Sequence, residues 1–298
     1  MIDLSHIKVT NPDKLNFGTA GIPLSTIPRK TINSIPQLHK LGLTAMELEF
    51  VRNVTLNPTT AKELYDANRN QEKLYSNDEN QEILFTCHGS YFINLNAADK
   101  DTITASKRRI IEGATMARLA GAWSMTFHAA YYLKDEKSVV YDRVKEQLKH
   151  IVSELQDSGN EIWVRPETTG KESQFGNLKE LIQMSQEVDN VLPCVDFAHL
   201  HARTNGKYNT TEEFREVLTL IEKSLGRRGL DNMHIHMSGI NYGPSGEKNH
   251  LFLEESDFNW KDLLKVWKEF KIKGAVINES PNIEDDAMLM KNYWEGLK

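Results

Sequence analysis

Two cysteines, Cys87 and Cys194, are all that 298 residues contain. That is too few for the disulfide framework of a small secreted protein. Both lie inside apolar runs, where a small buried thiol is the expected role. Long hydrophobic runs are missing as well: none approaches the roughly 18 residues that a membrane span needs. The start, Met1-Ile2-Asp3-Leu4-Ser5, has neither a basic region nor a cleavage site. These absences predict a cytoplasmic, intracellular protein with no membrane partner, and the Asn-x-Ser/Thr matches at Asn53, Asn209 and Asn278 read as coincidence. There is no Pro/Gly/Ser linker and no low-complexity tract, which argues for a single domain over 1–298. An excess of positive charge is also lacking. The net charge of −6 argues against a non-specific nucleic-acid coat protein, although carboxylates gathered around metal ions would count here while being neutralised in place.

What the chain does have is alternation. Short runs rich in leucine, aromatic and β-branched residues predict strands at Lys14–Thr19, Ala45–Phe50, Ile83–His88, Trp123–His128, Glu161–Glu167, Val191–Asp196, Asn232–Met237 and Gly274–Glu279. Between them, helical patterns cover Ile27–Leu41, Pro58–Asn70, Ile103–Ala120, Val139–Gln156, Gly176–Glu187, Thr211–Leu225, Phe258–Phe270 and Glu284–Leu297. Glycines at 42, 121, 159, 226 and 274 are expected at or near helix ends. Strand and helix in strict alternation predict an α/β protein, a closed (β/α)8 TIM barrel.

Six of these strands carry at their tail a polar residue that can bind a metal: His88, His128, Glu167, Asp196, His236 (one before the last) and Glu279. They recur roughly every 30 to 40 residues, about the length of one barrel unit. A lone histidine on an apolar strand is more often a hydrogen-bonded core residue than a ligand. The conjunction changes the reading, because carboxylates are seldom buried unpaired and the strand C-termini of a barrel meet at one mouth. Imidazoles and carboxylates together form a site for zinc or a similar divalent ion. His199 follows Asp196 by three residues, and His250 lies in the loop after the seventh strand. His234 and His236 share one side of their strand; His236, nearer its end, is the expected ligand.

At this point the blocks Cys87-His88-Gly89-Ser90-Tyr91-Phe92-Ile93-Asn94-Leu95, Phe127-His128, Pro166-Glu167-Thr168-Thr169-Gly170, Cys194-Val195-Asp196-Phe197-Ala198-His199, His236-Met237-Ser238-Gly239 and Asn278-Glu279-Ser280-Pro281-Asn282 resemble, in order, the motif series of the endonuclease IV family. These are abasic-site endonucleases of base-excision repair built on a barrel related to xylose isomerase. The resemblance implies a monomeric hydrolase acting on duplex DNA with abasic sites, cutting 5′ to the lesion to leave a 3′-hydroxyl and a 5′-deoxyribose phosphate. It also implies a cluster of two to three ions, usually zinc. His88, His128 and Glu167 would hold the first; Glu167 would bridge to a second, completed by Asp196, His236 and Glu279; His199 and His250 would hold the third. Glu167 would help position the attacking water, and Tyr91 and Phe92 would wedge into the base stack; separately, Arg203, Lys207 and Lys248, in loops after strands on the ligand rim, are expected to meet phosphates. The chain departs from the pattern at Lys248, where the family has an aspartate. Three readings stay open: Glu247 substitutes, the third site is weak, or the lysine ammonium takes over part of that ion's role.

Two rivals accompany this reading. A sugar isomerase or epimerase of the same barrel type would need only Glu167, Asp196, His236, Glu279 and one ion, leaving His88, His128, His199 and His250 as a surplus. A DNA- or metal-binding protein without activity would treat Lys248 as a sign of lost catalysis.

Overall fold

The computed structural model describes residues 4, 6–9, 11–70 and 82–297. Its strands are β1 (Leu15–Ala20), β2 (Ala45–Glu49), β3 (Leu84–His88), β4 (Ser124–Phe127), β5 (Trp163–Pro166), β6 (Cys194–Asp196), β7 (Met233–Met237), β8 (Gly239–Gly243), β9 (Gly246–Leu251) and β10 (Gly274–Asn278). Eight of them pair in parallel in the order β5-β4-β3-β2-β1-β10-β7-β6. Parallel bridges Val164 to Val191 and Glu167 to Cys194 join the β5 end to the β6 segment and close the ring. The expected TIM barrel is therefore present. β8 and β9 stand outside it as an antiparallel hairpin in the connection that leaves β7.

The helices are α1 (Thr31–Leu41), α2 (Pro58–Arg69), α3 (Lys100–Leu119), α4 (Lys137–Asp157), α5 (Leu178–Glu187), α6 (Phe197–Arg203), α7 (Thr211–Leu230), α8 (Trp260–Phe270) and α9 (Glu284–Gly296). Reciprocal capping boxes start α2 at Asn57, α5 at Asn177 and α7 at Thr210, satisfying amides that have no helical partner. The predicted stripe on α4, from Val140 to Leu155, is buried against the barrel wall. No helix among the described residues is long and apolar enough to cross a membrane.

Two glycines behave differently from expectation. α7 does not stop before Gly226; it continues beyond a kink at that residue (φ 64°, ψ −162°) to Leu230. Gly274 opens β10 instead of ending a helix, because a side chain there would meet the Met233 carbonyl oxygen at 1.8 Å. α6 and the hairpin have no counterpart in the sequence reading. α6 is only seven residues long and begins directly on Asp196, whose carboxylate accepts from the His199 amide at 2.6 Å. The hairpin is polar and carries no alternating apolar signal.

Inside the barrel the strands alternate. On β2, Met46 and Leu48 pack outward with the helices, while Ala45 joins an interior cluster with Trp123, Ala275 and Ile277. Gly18 on β1 lets β2 approach closely, since a Cβ there would lie 2.1 Å from the Ala45 carbonyl oxygen. Gly18→Ala should therefore force the two strands apart. A fall in urea stability of about 1–3 kcal/mol is expected; an unchanged unfolding midpoint would contradict this packing.

Candidate metal centre

The inward-facing positions near the strand C-termini are polar. β3 contributes His88, the β4 end His128, the β5 end Glu167, β6 Asp196, β7 His236 and the β10 end Glu279. Glu167 is 1% exposed and lies at the middle. Its two carboxylate oxygens face different partners. Oε2 lies 3.3 Å from His88 Nε2 and 3.4 Å from His128 Nε2, whereas Oε1 lies 3.2 Å from His236 Nδ1 and 3.2 Å from His199 Nδ1. The donor atoms of His88, His128 and Glu167 gather within 4.8 Å of one another, and so do those of Glu167, Asp196, His236 and Glu279. Both sets are the ones expected from the sequence, and Glu167 is common to them.

The histidines are oriented for lone-pair donation. His88 Nδ1 lies 2.8 Å from the Gly89 carbonyl oxygen, His199 Nδ1 3.0 Å from that of Thr168, and His250 Nδ1 3.1 Å from that of Glu279. A carbonyl can only accept, so each Nδ1 carries the proton when the ring is neutral and Nε2 is left free. His236 is reversed: its Nε2 lies 2.9 Å from Glu47 Oε1, and its Nδ1 faces Glu167 and Glu279. Glu167 Oε2 and Asp196 Oδ2 are buried without a hydrogen bond. Orphaned carboxylate oxygens beside free imidazole lone pairs suit a divalent cation.

A third group consists of His199, Glu247 and His250. His199 Nε2 lies 3.5 Å from Glu247 Oε2. Of the three readings of Lys248, the geometry favours substitution by Glu247. Simple alternation along β9 would place Lys248, not Glu247, on the side of His250. A bulge prevents this: Asn249 pairs with Asn241 and Glu247 with Tyr242, so Lys248 is the extra residue. Lys248 is exposed and leans over Gly243 instead. Gly170 completes the arrangement, because a Cβ there would meet the Glu247 side chain at 2.6 Å and the His199 ring at 3.1 Å.

Arg203 corrects an expectation. Its guanidinium is buried and donates to the carbonyl oxygens of Thr169, Lys171 and Gln174 and to Thr169 Oγ1. It braces the loop behind Glu167 and is not open to a phosphate. Tyr91 and Phe92 do face outward, 60% and 61% exposed, beside His88, and the Arg109 guanidinium lies 5.9 Å from the Phe92 ring centre. Lys207 is exposed.

Glu47 and Glu49 on β2 are site residues that the sequence reading missed. Burial, then the Glu47 charge, push the Glu49 carboxyl up to about 8. Burial also raises Asp196, to about 6. For His88 burial acts downward, but the Glu167 carboxylate outweighs it and raises the imidazole to about 10. His199 is likewise raised well above the ordinary histidine range by carboxylates, Asp196 first, that outweigh burial, and His236 by Cys194 ahead of Glu279, Glu47 and Glu167. In the absence of an ion, protons supply the positive charge that these acids require.

A closed (β/α)8 barrel with imidazoles and carboxylates converging at its C-terminal mouth is thus the class that fold and site define. The chain belongs to the xylose isomerase-like TIM barrel family, which it matches over residues 35–294. It is 42% identical to the uncharacterized protein MJ0133 of Methanocaldococcus jannaschii, over 94% of this chain and 97% of that one. It is also 24% identical to apurinic-apyrimidinic endonuclease 1 of Plasmodium falciparum, over 76% of this chain but only 37% of that longer protein. In fold it resembles endonuclease IV from Thermus thermophilus, with a TM-score of 0.69 and 18% identity over 94% of this chain and 100% of the other. It resembles a D-tagatose 3-epimerase-like protein nearly as well, with a TM-score of 0.67 and 19% identity over 93% and 97%.

Geometry and charge together make two predictions. Metal ligands must be deprotonated, and His88 and His199, raised by neighbouring carboxylates, are expected to hold protons at pH 7 in the ion-free protein. Zinc binding at pH 7 should therefore release protons, and its affinity should climb as pH rises toward 10. Calorimetry in buffers of different ionisation enthalpy reads this release, and buffer-independent heats would contradict it. Separately, Glu247→Ala should lower zinc stoichiometry by one ion while Lys248→Asp leaves it unchanged. A gain of zinc in Lys248→Asp would show that Lys248, not Glu247, occupies the ligand position.

Proposed function

We propose that this protein is a metal-dependent endonuclease that hydrolyses the phosphodiester 5′ to an abasic site in duplex DNA, leaving a 3′-hydroxyl and a 5′-deoxyribose phosphate. The observation that carries this reading is the division of the Glu167 carboxylate between two ligand sets. One-ion sugar chemistry has no use for His88 and His128, whereas a phosphodiester needs charge neutralised at both its attacking and its leaving oxygen. Clustered divalent ions, zinc by the donor set and two to three in number, supply that neutralisation and acidify water when bound.

The chain's own residues have separate tasks. Glu167 orients the two halves of the centre against each other, and the carbonyls behind His88, His199 and His250 hold the rings in place. Tyr91 and Phe92, exposed beside His88, can enter the base stack and stabilise a kinked duplex. An abasic sugar has no base to unstack, which lowers the cost of swinging it into the mouth. Lys207 and Lys248, both exposed, would meet phosphates; Arg203, buried on loop carbonyls, would not.

The rival reading, a metal-dependent sugar epimerase, draws support from one observation: Glu167, Asp196, His236 and Glu279 alone form a complete four-donor set. The two separate in one assay. The zinc-loaded protein should nick a duplex carrying a single abasic analogue once, on its 5′ side. Glu167→Gln should cut that rate by several orders of magnitude with duplex binding retained. An intact duplex, together with epimerisation of a ketohexose at C3, would reject the nuclease reading in favour of the epimerase.

A further inference from the structure

One group at the centre has no counterpart among the residues that face the mouth. Glu47, midway along β2, is fully buried in the barrel interior. Thr86 Oγ1 donates to its Oε2 at 2.8 Å, and His234 Nε2 lies 2.9 Å from the same oxygen. His236 Nε2 lies 2.9 Å from Oε1. One step further out, Ser124 Oγ lies 2.8 Å from His234 Nδ1. A buried carboxylate without compensation is not tolerated; here one hydroxyl donates to it, and two imidazole nitrogens stand at ion-pair distance without hydrogen-bond geometry.

That arrangement fixes the proton positions along the chain. Both imidazole edges that face Glu47 must present N–H. The serine hydroxyl then donates to His234 Nδ1, and in the neutral ring that would bind an ion His236 has its lone pair on Nδ1. For His88, His199 and His250 a backbone carbonyl performs this orientation. His236 points into the barrel interior, where the wall carbonyls are engaged in the strand ladder, so a side chain has to take that part.

We propose that Glu47 is the positioning residue of the metal centre. By holding the Nε2 edge of His236, with His234 and Ser124 behind it, Glu47 turns Nδ1 toward Glu167 and Glu279 and sets the affinity of that site for its ion. The proposal rests on the metal-centre reading but not on the nuclease reaction. Carboxylates behind ligating histidines fix ring orientation and raise ligand basicity, and their loss typically weakens metal binding about 10- to 100-fold.

The test reads zinc and ring nitrogens, so a failure to nick DNA leaves it untouched. In the wild-type protein, long-range 15N–1H correlation spectra should show His236 protonated at Nε2, with the Nδ1 resonance moving on zinc addition. Glu47→Gln offers one acceptor and one donating amide to the hydroxyl and the two imidazole edges, so an N–H loses its partner. Competition with a chromophoric chelator should show one site weakened about 10- to 100-fold, the other zinc sites unchanged and the far-ultraviolet circular dichroism retained. Unchanged affinity in a folded Glu47→Gln protein would overturn the proposal. If that variant does not fold, the wild-type spectra decide, and a proton on His236 Nδ1 in the loaded protein overturns it. A zinc–sulfur distance of about 2.3 Å by X-ray absorption would also overturn it, because Cys194, His234 and His236 bring their donor atoms within 4.8 Å and His236 Nε2 would then be a ligand.

Discussion

The requirement that buried carboxylates be matched by positive charge governs the rest of this structure. Glu47, Glu167 and Asp196 have almost no access to water, and Glu49 and Glu279 have little. Water would solvate five such groups freely; the barrel interior must supply partners instead. It supplies imidazoles, whose proton affinity at His88 and His199 the surrounding carboxylates raise, while burial and the Glu47 charge favour a proton on Glu49 itself. A divalent ion meets the same demand with two charges and fixed geometry. The metal centre and the unusual polarity of the barrel core are thus one electrostatic fact.

Most of the barrel was legible in the sequence because parallel strands covered on both faces read as continuous apolar runs, and the runs ended on the residues that face the mouth. His88, Glu167, Asp196 and His236 stood out for that reason. Glu47 and Glu49 did not, because Ala-Met-Glu-Leu-Glu looks like an ordinary half-exposed strand; only the closed barrel turns the acidic side inward. Lys248 left three readings open because the segment after the seventh strand carries no strand signal; only the folded hairpin, with its bulge at Lys248, shows that Glu247 is the residue beside His199. Arg203 misled through the common rule that a basic residue near a loop meets solvent; here three loop carbonyls engage it.

The same scaffold serves phosphodiester cleavage and sugar epimerisation with little change of fold, so the argument for function must rest on the site. Four of the donors suit either chemistry. His88 and His128 on one flank, and His199, Glu247 and His250 on the other, extend the centre beyond what one ion needs. The exposed Tyr91 and Phe92 add a feature suited to stacked bases, on the same rim as His88. The bulge at Lys248 and the missing Cβ at Gly170 are conformational devices that serve this extension, since they bring Glu247 against His199.

The central claim is that the Glu167 carboxylate joins two ion sites. Anomalous diffraction at the zinc edge, from crystals of the zinc-loaded protein, tests it most directly. Apart from a peak at His199, Glu247 and His250, the account predicts two strong peaks about 3.5–4 Å apart, one beside His88 and His128 and the other beside Asp196, His236 and Glu279, with one Glu167 oxygen on each. A single peak held by Glu167, Asp196, His236 and Glu279, with His88 and His128 bonded to no ion, would contradict it.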